Sequence, residues 1–369
     1  MIKYFYFLPV IFFCISSFTS YTWYNFIKVD PFFEILLLFV FILCSKRMRG
    51  NWWFISYGLL CYSVVILFLS MNNNDVAIRD FFIAYKSIFY LIMLSFFVGK
   101  VFFKPESVLI FFRFLLFVFF IKYILWFFLS STDRPGVFAE NNFEIVFILL
   151  VSLSVFKVND KVGSLENTIL FLVVMFSGSR SGIVCLFAMY FILYARISGY
   201  KAIFSYFFLL VFSLIISFVF FQRLSGGSLE SIDRVVFLQS LIMSISDWSI
   251  LNYLFGNFFL SPLAEEACTR LSFYTSLFSV DNPGICYSVI LHAYVLRIFY
   301  DFGLLGLIFI FYITFQMIIK SNVKSKIAFA ALAVIFLSGL SVSSLNSVYT
   351  ILGLIILMCS GKKNNEVWT

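Results

Sequence analysis

The chain is dominated by long apolar runs that are separated by short polar segments. The runs are continuous, so they lack the strict alternation of apolar and polar positions that marks a half-buried β-strand. A helix needs about 20 apolar residues to cross a membrane, and the runs therefore predict membrane-spanning helices. Reading each run between its polar breaks predicts spans near residues 4–20, 31–45, 52–70, 81–99, 107–129, 143–156, 167–177, 182–195, 202–221, 291–319, 327–340 and 347–360.

Composition removes the alternatives to this pattern. Of the 369 residues, 63% are hydrophobic and only 12% are charged, and the mean hydropathy is +1.04. A soluble domain has about 25% charged residues, because its surface needs polar cover. A soluble enzyme, a secreted disulfide scaffold and a disordered chain are therefore excluded. The remaining fold class is an all-α polytopic membrane protein with about twelve transmembrane helices. Residues 1–369 are predicted to form a single integral membrane domain.

Basic residues cluster in alternate connections between the predicted spans, and this asymmetry predicts the orientation. Most of the 26 Lys and Arg residues fall in one set, which comprises Lys3, Lys46, Arg47, Arg49, Lys100, Lys104, Lys157, Lys161, Arg196, Lys201, Lys320, Lys324, Lys326, Lys362 and Lys363. Because cytoplasmic loops carry the excess of Lys and Arg, this set and both termini are predicted to be cytoplasmic. The net charge of +8 reflects this rim and gives no reason to expect a nucleic-acid partner.

One connection on the predicted periplasmic side, residues 222–290, is much longer than the others. Its segment 232–243 has apolar residues at i, i+3 and i+4 spacings, which predicts an amphipathic helix that lies on the membrane or caps a cavity. A long loop in a compact protein is usually functional, and a variable surface loop is the alternative. The loop holds Cys268 and Cys286, which could form a disulfide in an oxidising periplasm or stay reduced.

Arginine stands out on the predicted outer side. Arg180 lies in the turn 177–182 between two short spans, which places it below the membrane surface, facing protein or a water-filled cavity. Small residues on both sides would let backbone N–H groups and the guanidinium converge on one anion. The alternative is a snorkelling side chain that caps the turn. Arg134 and Arg234 lie in outer loops, and each could instead pair with an acidic neighbour.

The tenth predicted span carries the remaining candidates. His292, the single histidine of the chain, lies at its start beside the 222–290 loop. Histidine exchanges protons near neutral pH, and a structural role is the alternative. Arg297 and Asp301 lie further along the same span, four residues apart. A simple ion pair on one helix face is therefore an alternative to a role in a site.

Several chemistries lack their residues in this sequence. One histidine and scattered cysteines leave no metal site built from His and Cys ligands. No glycine-rich phosphate loop and no Asp-x-Asp pair is present. The arginine fork binds phosphate oxygens in a bidentate manner without a metal. The pattern therefore favours a phosphorylated or pyrophosphorylated substrate that is reached from the outer leaflet, without a cofactor.

Three stretches, in this order, resemble the bacterial O-antigen polymerase and ligase superfamily (Wzy-type and WaaL-type proteins). Residues 134–142 contain a segment similar to the Gly-x-Phe-x-x-x-Asn loop of the family, and residues 177–182 are similar to its Ser-x-Ser-Arg turn. The third stretch is His292 followed by residues 301–306, similar to a histidine and an acidic-x-Gly-Leu-Leu-Gly sequence. The next residue, Ala293, stands where ligases of the family often have Asn, and this favours a polymerase.

The resemblance implies a GT-C-like, metal-independent polymerase in the bacterial inner membrane. Such an enzyme joins undecaprenyl-pyrophosphate-linked oligosaccharide repeat units at the periplasmic face during lipopolysaccharide O-antigen biosynthesis. Its partners would be the lipid-linked donor and acceptor, membrane lipid and a chain-length regulator. The pyrophosphate-binding candidates are Arg180, Arg134, Arg234 and Arg297, with Arg180 as the first choice. His292 is the candidate general base, with Asp281 or Asp301 behind it, although it could instead bind phosphate as a cation.

Two other functions remain open. An O-antigen ligase of the same superfamily would transfer the glycan to lipid A-core. A flippase or other transporter would suit twelve spans, and Lys86, Arg113 and Lys122 inside predicted spans could line its path. The chain lacks the matching halves expected of repeat-built transporters. Lys122 is otherwise expected to pair with Glu144 on the next span.

Overall fold

The structure, a computed structural model, describes residues 2–20, 25, 27–44, 52–74, 76–130, 134–195, 199, 202–203, 207, 233–281 and 284–361. Within these residues all regular structure is helical, and extended pairing is limited to the isolated bridges Phe103–Ser360 and Pro262–Tyr287. The helical fold class predicted from the continuous apolar runs is therefore confirmed for the described part of the chain.

The α-helices follow the order of the apolar runs. They are α1 (Ile2–Ser16), α2 (Val29–Cys44), α3 (Trp52–Asn74), α4 (Ile78–Ala84), α5 (Lys86–Ser95), α6 (Pro105–Leu129), α7 (Asn141–Asn159), α8 (Ser164–Phe176), α9 (Arg180–Tyr194), α10 (Asp233–Ser244), α11 (Ile250–Phe255), α12 (Glu265–Arg270), α13 (Tyr294–Lys320), α14 (Ser325–Gly339) and α15 (Val348–Cys359). Short 3-10 helices cover Ser17–Thr19, Ser272–Leu277, Ser288–Leu291 and Ser344–Asn346.

Each predicted apolar run coincides with helix, apart from 202–221, which lies almost entirely outside the described residues. The run 81–99 is divided between α4 and α5, with a break at Tyr85. Beyond the break, the backbone N–H of Ser87 donates to Oδ1 of Asn346 at 2.9 Å. A side chain distant in sequence thus supplies the acceptor, and an apolar run cannot reveal such a partner.

Among the described residues, four helices are long and apolar enough to cross a membrane. They are α3 over Trp52–Asn72, α6, α7 and α13. Shorter apolar helices include α8, α9, α14 and α15. The protein is therefore a helical membrane protein by the length and composition of its helices, and the number of twelve spans stays a prediction.

The chain divides into two compact units. Unit 1 comprises Met1–Val64, Tyr85–Leu186 and Ile310–Thr369, and unit 2 comprises Val65–Ala84 and Phe187–Phe309. Three boundaries fall inside α3, α9 and α13, so each of these helices contributes residues to both units, and the fourth falls between α4 and α5. The single integral domain expected from the sequence stays a prediction.

The core of unit 1 is built around α7, whose apolar window is 89% buried. Gly353 on α15 permits a close approach, because a Cβ at this position would lie 2.8 Å from Cβ of Leu150 on α7. Phe33, Phe138 and Tyr349 form an aromatic cluster with ring centroids 5.5, 5.6 and 5.9 Å apart. This packing anchors Phe138, and with it the loop that precedes α7.

The core of unit 2 is a hydrophobic cluster that joins the 222–290 loop to the first turns of α13. Buried Cys286 belongs to this cluster and forms a disulfide with Cys268, with the two Cα atoms 5.9 Å apart. This separation lies in the ordinary range for disulfides. Of the two states left open by the sequence, the structure has the bonded one. Residues 222–232 of the loop lie outside the described residues.

The amphipathic helix expected in the long loop is present as α10. Its buried face is formed by Phe237, Ser240 and Leu241, whereas Ile242 of the predicted apolar stripe is 55% exposed. The helix carries apolar residues on more than one face, so periodicity alone could not select the face that meets the core.

Candidate functional site

The 134–142 loop is held in place by the carboxylate of Glu144 in the first turn of α7. Glu144 is fully buried and accepts hydrogen bonds from three successive backbone N–H groups at residues 137–139, at 2.9 Å for the first and 2.8 Å for the last. The hydroxyl of Tyr123 donates to the same carboxylate at 2.9 Å. Buried polar groups with full sets of partners rigidify their surroundings, so the loop is shaped before any substrate binds.

Lys122 interacts electrostatically with Glu144, and a direct ion pair between them stays a prediction. The ammonium group of Lys122 donates to the backbone carbonyls of Ser17 and Ser20, and it lies 5.5 Å from the ring centroid of Trp126. Carbonyls at the end of a helical segment lack intrahelical donors, so they attract a buried ammonium group. The carboxylate of Glu144 is already surrounded by the loop backbone and Tyr123.

The 177–182 turn connects α8 to α9 and depends on two glycines. Gly178 has a φ of +63°, a left-handed conformation that favours glycine. The hydroxyl oxygen of Ser179 accepts the N–H of Gly182 at 3.0 Å and so caps the N-terminus of α9. A Cβ at Gly182 would lie 2.9 Å from Cγ2 of Ile145 on α7, so a larger residue would push the two helices apart.

Two of the three stretches that carry the resemblance are in contact. The side-chain amide of Asn141 donates to the carbonyl of Ser177 at 2.6 Å, and the hydroxyl of Ser179 donates to Oδ1 of Asn142 at 2.6 Å. The two asparagines are the first residues of α7, and Ser179 precedes the first residue of α9. The N-termini of two helices therefore lie side by side. We call this set of four residues the α7–α9 junction.

At the α7–α9 junction the N-termini of two helices adjoin, with the carboxylate of Glu144 in the first turn of α7. The first N–H groups of a helix lack intrahelical partners, and the N-terminus carries a partial positive charge. Two adjoining N-termini therefore favour a bound phosphate group. Arg180 is exposed at the first position of α9, and Arg134 is exposed at the start of the loop. Both guanidinium groups are accessible to a ligand.

The structural roles that the sequence left open differ for the two arginines: capping of the turn for Arg180 and an ion pair for Arg134. The turn already has its caps, since Ser177 accepts the N–H of Ser179 at 3.1 Å and Ser179 caps α9. Arg180 is therefore not required to cap it. For Arg134, the described residues contain no ion pair with Glu140. Its other acidic neighbour, Asp133, lies outside the described residues.

His292 lies between two helical segments and not on the helix that follows it. Its backbone has φ 49° and ψ −20°, between the 3-10 helix Ser288–Leu291 and the start of α13. Few residues other than glycine adopt this conformation, and those that do are concentrated at functional sites. The side chain is exposed, with its ring centroid 6.1 Å from that of Phe237 on α10. The imidazole is therefore accessible for proton transfer.

Arg297 and Asp301 form a buried pair on α13. The two side chains are 1% and 0% exposed, and Nε of Arg297 lies 3.8 Å from Oδ2 of Asp301. The hydroxyl of Ser288 donates to the other carboxylate oxygen at 2.7 Å, and Nη2 of Arg297 donates to the carbonyl of Ile83 at 3.5 Å. The structure therefore has the i,i+4 pair that was the alternative to a site role. Neither side chain has surface available to a large substrate.

Asp281 is exposed in a turn that is held by Asp80, a residue that sequence reasoning missed. Asp80 is 4% exposed and accepts hydrogen bonds from the hydroxyl of Ser279 and from the N–H of Val280, the latter at 2.8 Å. It thus holds the two residues that precede Asp281. A separation of 200 positions divides Asp80 from Val280, so no local pattern could have revealed this contact.

Arg234 is exposed in the first turn of α10, one turn before Phe237, whose ring lies near His292. One acidic residue that could pair with it, Glu230, lies outside the described residues, as does the side chain of Asp233. The ion-pair alternative for Arg234 therefore stays open.

The charges expected to line a transport path have partners. Lys86 lies 2.5 Å from a carboxylate oxygen of Glu34, and Arg113 lies 2.7 Å from one of Glu166. Lys122 donates to backbone carbonyls, as described above. Among the described residues, no group of three or more His, Cys, Asp or Glu side chains is placed to hold a metal ion. Metal independence itself stays a prediction.

The candidates divide between the two units. Unit 1 contains Arg134 and Arg180, and unit 2 contains Arg234, Asp281, His292, Arg297 and Asp301. Comparison of the chain with protein-family models and with curated proteins gives no match. The three stretches described above, and the contact between two of them, are therefore the features of this chain that point to a function.

Proposed function

We propose that the protein is an O-antigen polymerase, a glycosyltransferase that joins undecaprenyl-pyrophosphate-linked repeat units at the periplasmic face of the bacterial inner membrane. The α7–α9 junction is the observation that carries this proposal. There, two stretches similar to the family meet and leave Arg180 exposed at a helix N-terminus. We extend the proposal to twelve spans and a GT-C-like architecture. We also propose that both termini are cytoplasmic, which the asymmetry of basic residues supports.

The leaving group of this reaction explains why a cationic junction is useful. When the acceptor hydroxyl attacks the anomeric carbon, the bond from that carbon to the pyrophosphate oxygen breaks and negative charge develops on the pyrophosphate. Preorganised donors aimed at developing charge are usually the largest single contribution to catalysis. Arg180 would supply two parallel N–H groups, the helix N-termini would add partial positive charge, and Arg134 would add a second guanidinium.

The acceptor hydroxyl must lose a proton as the new glycosidic bond forms. We assign His292 as the general base, because its imidazole is exposed and histidine is the side chain most often used for proton transfer. Asp281 is exposed near the end of the 222–290 loop and is the first candidate to orient the imidazole of His292. Asp301 and Arg297 rank lower as direct contacts because both are buried, and Arg234 ranks below Arg180 because its ion-pair alternative stays open.

Removal of the gene and analysis of lipopolysaccharide on a gel tests the proposal. A polymerase predicts lipopolysaccharide that carries a single repeat unit. Glycan-free core would identify a ligase instead, and loss of lipid-linked repeat units from the outer leaflet would identify a flippase. Reporter fusions at Ser228 and Gly199 test the orientation and should give opposite signals, with Ser228 periplasmic.

A further inference from the structure

Segment 250–258 of the long loop exposes most of its apolar side chains. The helix within it, α11, has no buried residue. The exposed fractions are 80% for Ile250, 62% for Leu251, 42% for Tyr253, 43% for Phe255 and 49% for Phe258. Apolar patches of this kind mark an interaction surface. We call these five side chains the α11 face.

The segment is attached to α13 by direct contact between backbones. Helix α13 is interrupted at Gly303, which has φ 66° and ψ −170°. A Cβ at Gly303 would lie 2.4 Å from the carbonyl carbon of Leu254, and a Cβ at Gly256 would lie 2.5 Å from the carbonyl carbon of Asp301. The two glycines therefore allow the segment to lie against the break in α13, and any larger residue would separate them.

Hydrogen bonds secure the segment to two helices that are long enough to cross a membrane. The N–H of Asn257 donates to the carbonyl of Tyr300 on α13 at 3.2 Å, beside the break. Three residues further on, the N–H of Leu260 donates to the hydroxyl of Ser70 on α3 at 3.1 Å. Irregular backbone at the level of a membrane needs such partners, because lipid offers none.

The part of α13 that follows Gly303 has about the length needed to cross the hydrocarbon layer. From Gly303 to Lys320, α13 extends about 26 Å at about 1.5 Å per residue, close to the roughly 30 Å thickness of that layer. On α3, Ser70 lies within the last turn of the apolar span that ends at Asn72. Exposed apolar side chains continue on both helices close to these points, at Phe68 (66%) and Leu304 (45%).

We infer that the α11 face is inserted among the phospholipid acyl chains of the leaflet at which α13 begins. Exposed apolar residues of two candidate spans, Phe68 and Leu304, lie next to its attachment points along the chain, and its aromatic residues suit the boundary between lipid and water. The 222–290 loop is thereby anchored to the bilayer in its middle. This inference depends on the protein being a membrane protein and is independent of the polymerase proposal.

Spin labels at single positions test the insertion. The five cysteines outside the disulfide are replaced with alanine, and Leu251→Cys and Phe258→Cys are then labelled one at a time with a nitroxide. The labelled proteins are reconstituted into phosphatidylglycerol and phosphatidylethanolamine vesicles. Collisions of the nitroxide with oxygen, which concentrates in hydrocarbon, and with a water-soluble nickel chelate are measured. Matched controls are Phe68→Cys on α3 and Glu265→Cys, an exposed acidic position on α12.

Insertion predicts that both labels have an oxygen-to-nickel collision ratio close to that at position 68 and well above that at position 265. Ratios equal to that at position 265 would overturn the inference, because the face would then be in water. Low collision rates with both reagents would also overturn it, because the face would then be covered by protein. A chain without polymerase activity can still give the expected ratios, so the two proposals fail separately.

Discussion

Arg180 and Arg297 are both arginines beside apolar segments, yet their surroundings are opposite. Arg180 is exposed at the N-terminus of α9, directly after Ser179 of the α7–α9 junction. Arg297 is 1% exposed inside α13 and lies 3.8 Å from the buried carboxylate of Asp301. The first guanidinium is available to a ligand, whereas the second is committed to the protein interior.

This contrast teaches how to separate functional from structural charges in a membrane protein. Intramembrane charge is costly and usually functional, so both arginines were candidates from sequence. They differ in whether neighbouring groups of the protein need the positive charge or its hydrogen bonds. Around Arg180 the hydroxyl groups of Ser177 and Ser179 already accept backbone N–H groups of the turn, so the guanidinium is not needed to cap it. Around Arg297 the buried carboxylate needs a counter-charge.

Removal of Arg297 should have the largest effect on stability. Arg297→Ala leaves Asp301 as an uncompensated buried charge, which costs about 3–5 kcal/mol. We expect low protein abundance and a lowered Tm in detergent. The matched control is the double variant Arg297→Leu with Asp301→Leu, which removes both charges and should recover much of the loss. If the Arg297→Ala variant had normal abundance but no polymerisation, Arg297 would instead be assigned to binding the pyrophosphate.

Loss of the disulfide should have the next largest effect. Cys268 and Cys286 close a loop of about 19 residues, and such a crosslink contributes roughly 3 kcal/mol in the chain-entropy model. The Cys268→Ser, Cys286→Ser variant should therefore have a lower Tm, while the single substitution Cys61→Ser on α3 should not. Unreduced protein should also have two fewer titratable thiols than reduced protein. Seven free thiols without reductant would exclude the bond.

The cap of α9 should have the smallest effect on stability. Ser179→Ala removes the acceptor for the N–H of Gly182 and the donor to Asn142, and loss of an N-cap costs about 0.5–2 kcal/mol. Because the cap also positions Arg180, polymerisation should fall by more than protein abundance does. Thr168→Ala on exposed α8 surface is the control and should change neither. An unchanged chain-length distribution in Ser179→Ala would argue against the junction as part of the site.

Much of the fold could be predicted from the sequence because it follows from local patterns. Continuous apolar runs predicted α1 to α9 and α13 to α15, whereas α11 and α12 in the long loop were not predicted. The i,i+4 spacing already offered the Arg297–Asp301 pair. The features that escaped prediction depend on residues that are distant along the chain. The contact of Asp80 with Val280 and the acceptor that Asn346 provides for Ser87 leave no periodic trace.

The candidate site shows the same division. The sequence placed Arg180 on a small-residue turn, but it could not reveal that Asn141 and Asn142 lie against that turn, because 36 and 37 positions separate the bonded residues. Nor could helical periodicity reveal the left-handed conformation of His292, since a helix pattern assumes regular backbone on both sides. For Lys122, sequence spacing suggested the charge partner Glu144 but could not reveal the helix-end carbonyls of Ser17 and Ser20 as acceptors.

The most direct test of the central claim measures O-antigen chain length in cells that express Arg180 variants at equal levels. If Arg180 grips the pyrophosphate, Arg180→Ala should reduce polymerisation by roughly ten- to a thousandfold, since transition-state donors contribute about 2.7–4 kcal/mol and charged hydrogen bonds about 1.5–3 kcal/mol. Arg180→Lys keeps the charge but loses the bidentate fork, and should be mostly inactive. Arg113→Ala, an exposed arginine of the same unit paired with Glu166, should make normal chains. Wild-type chains from stably expressed Arg180→Ala would contradict the account.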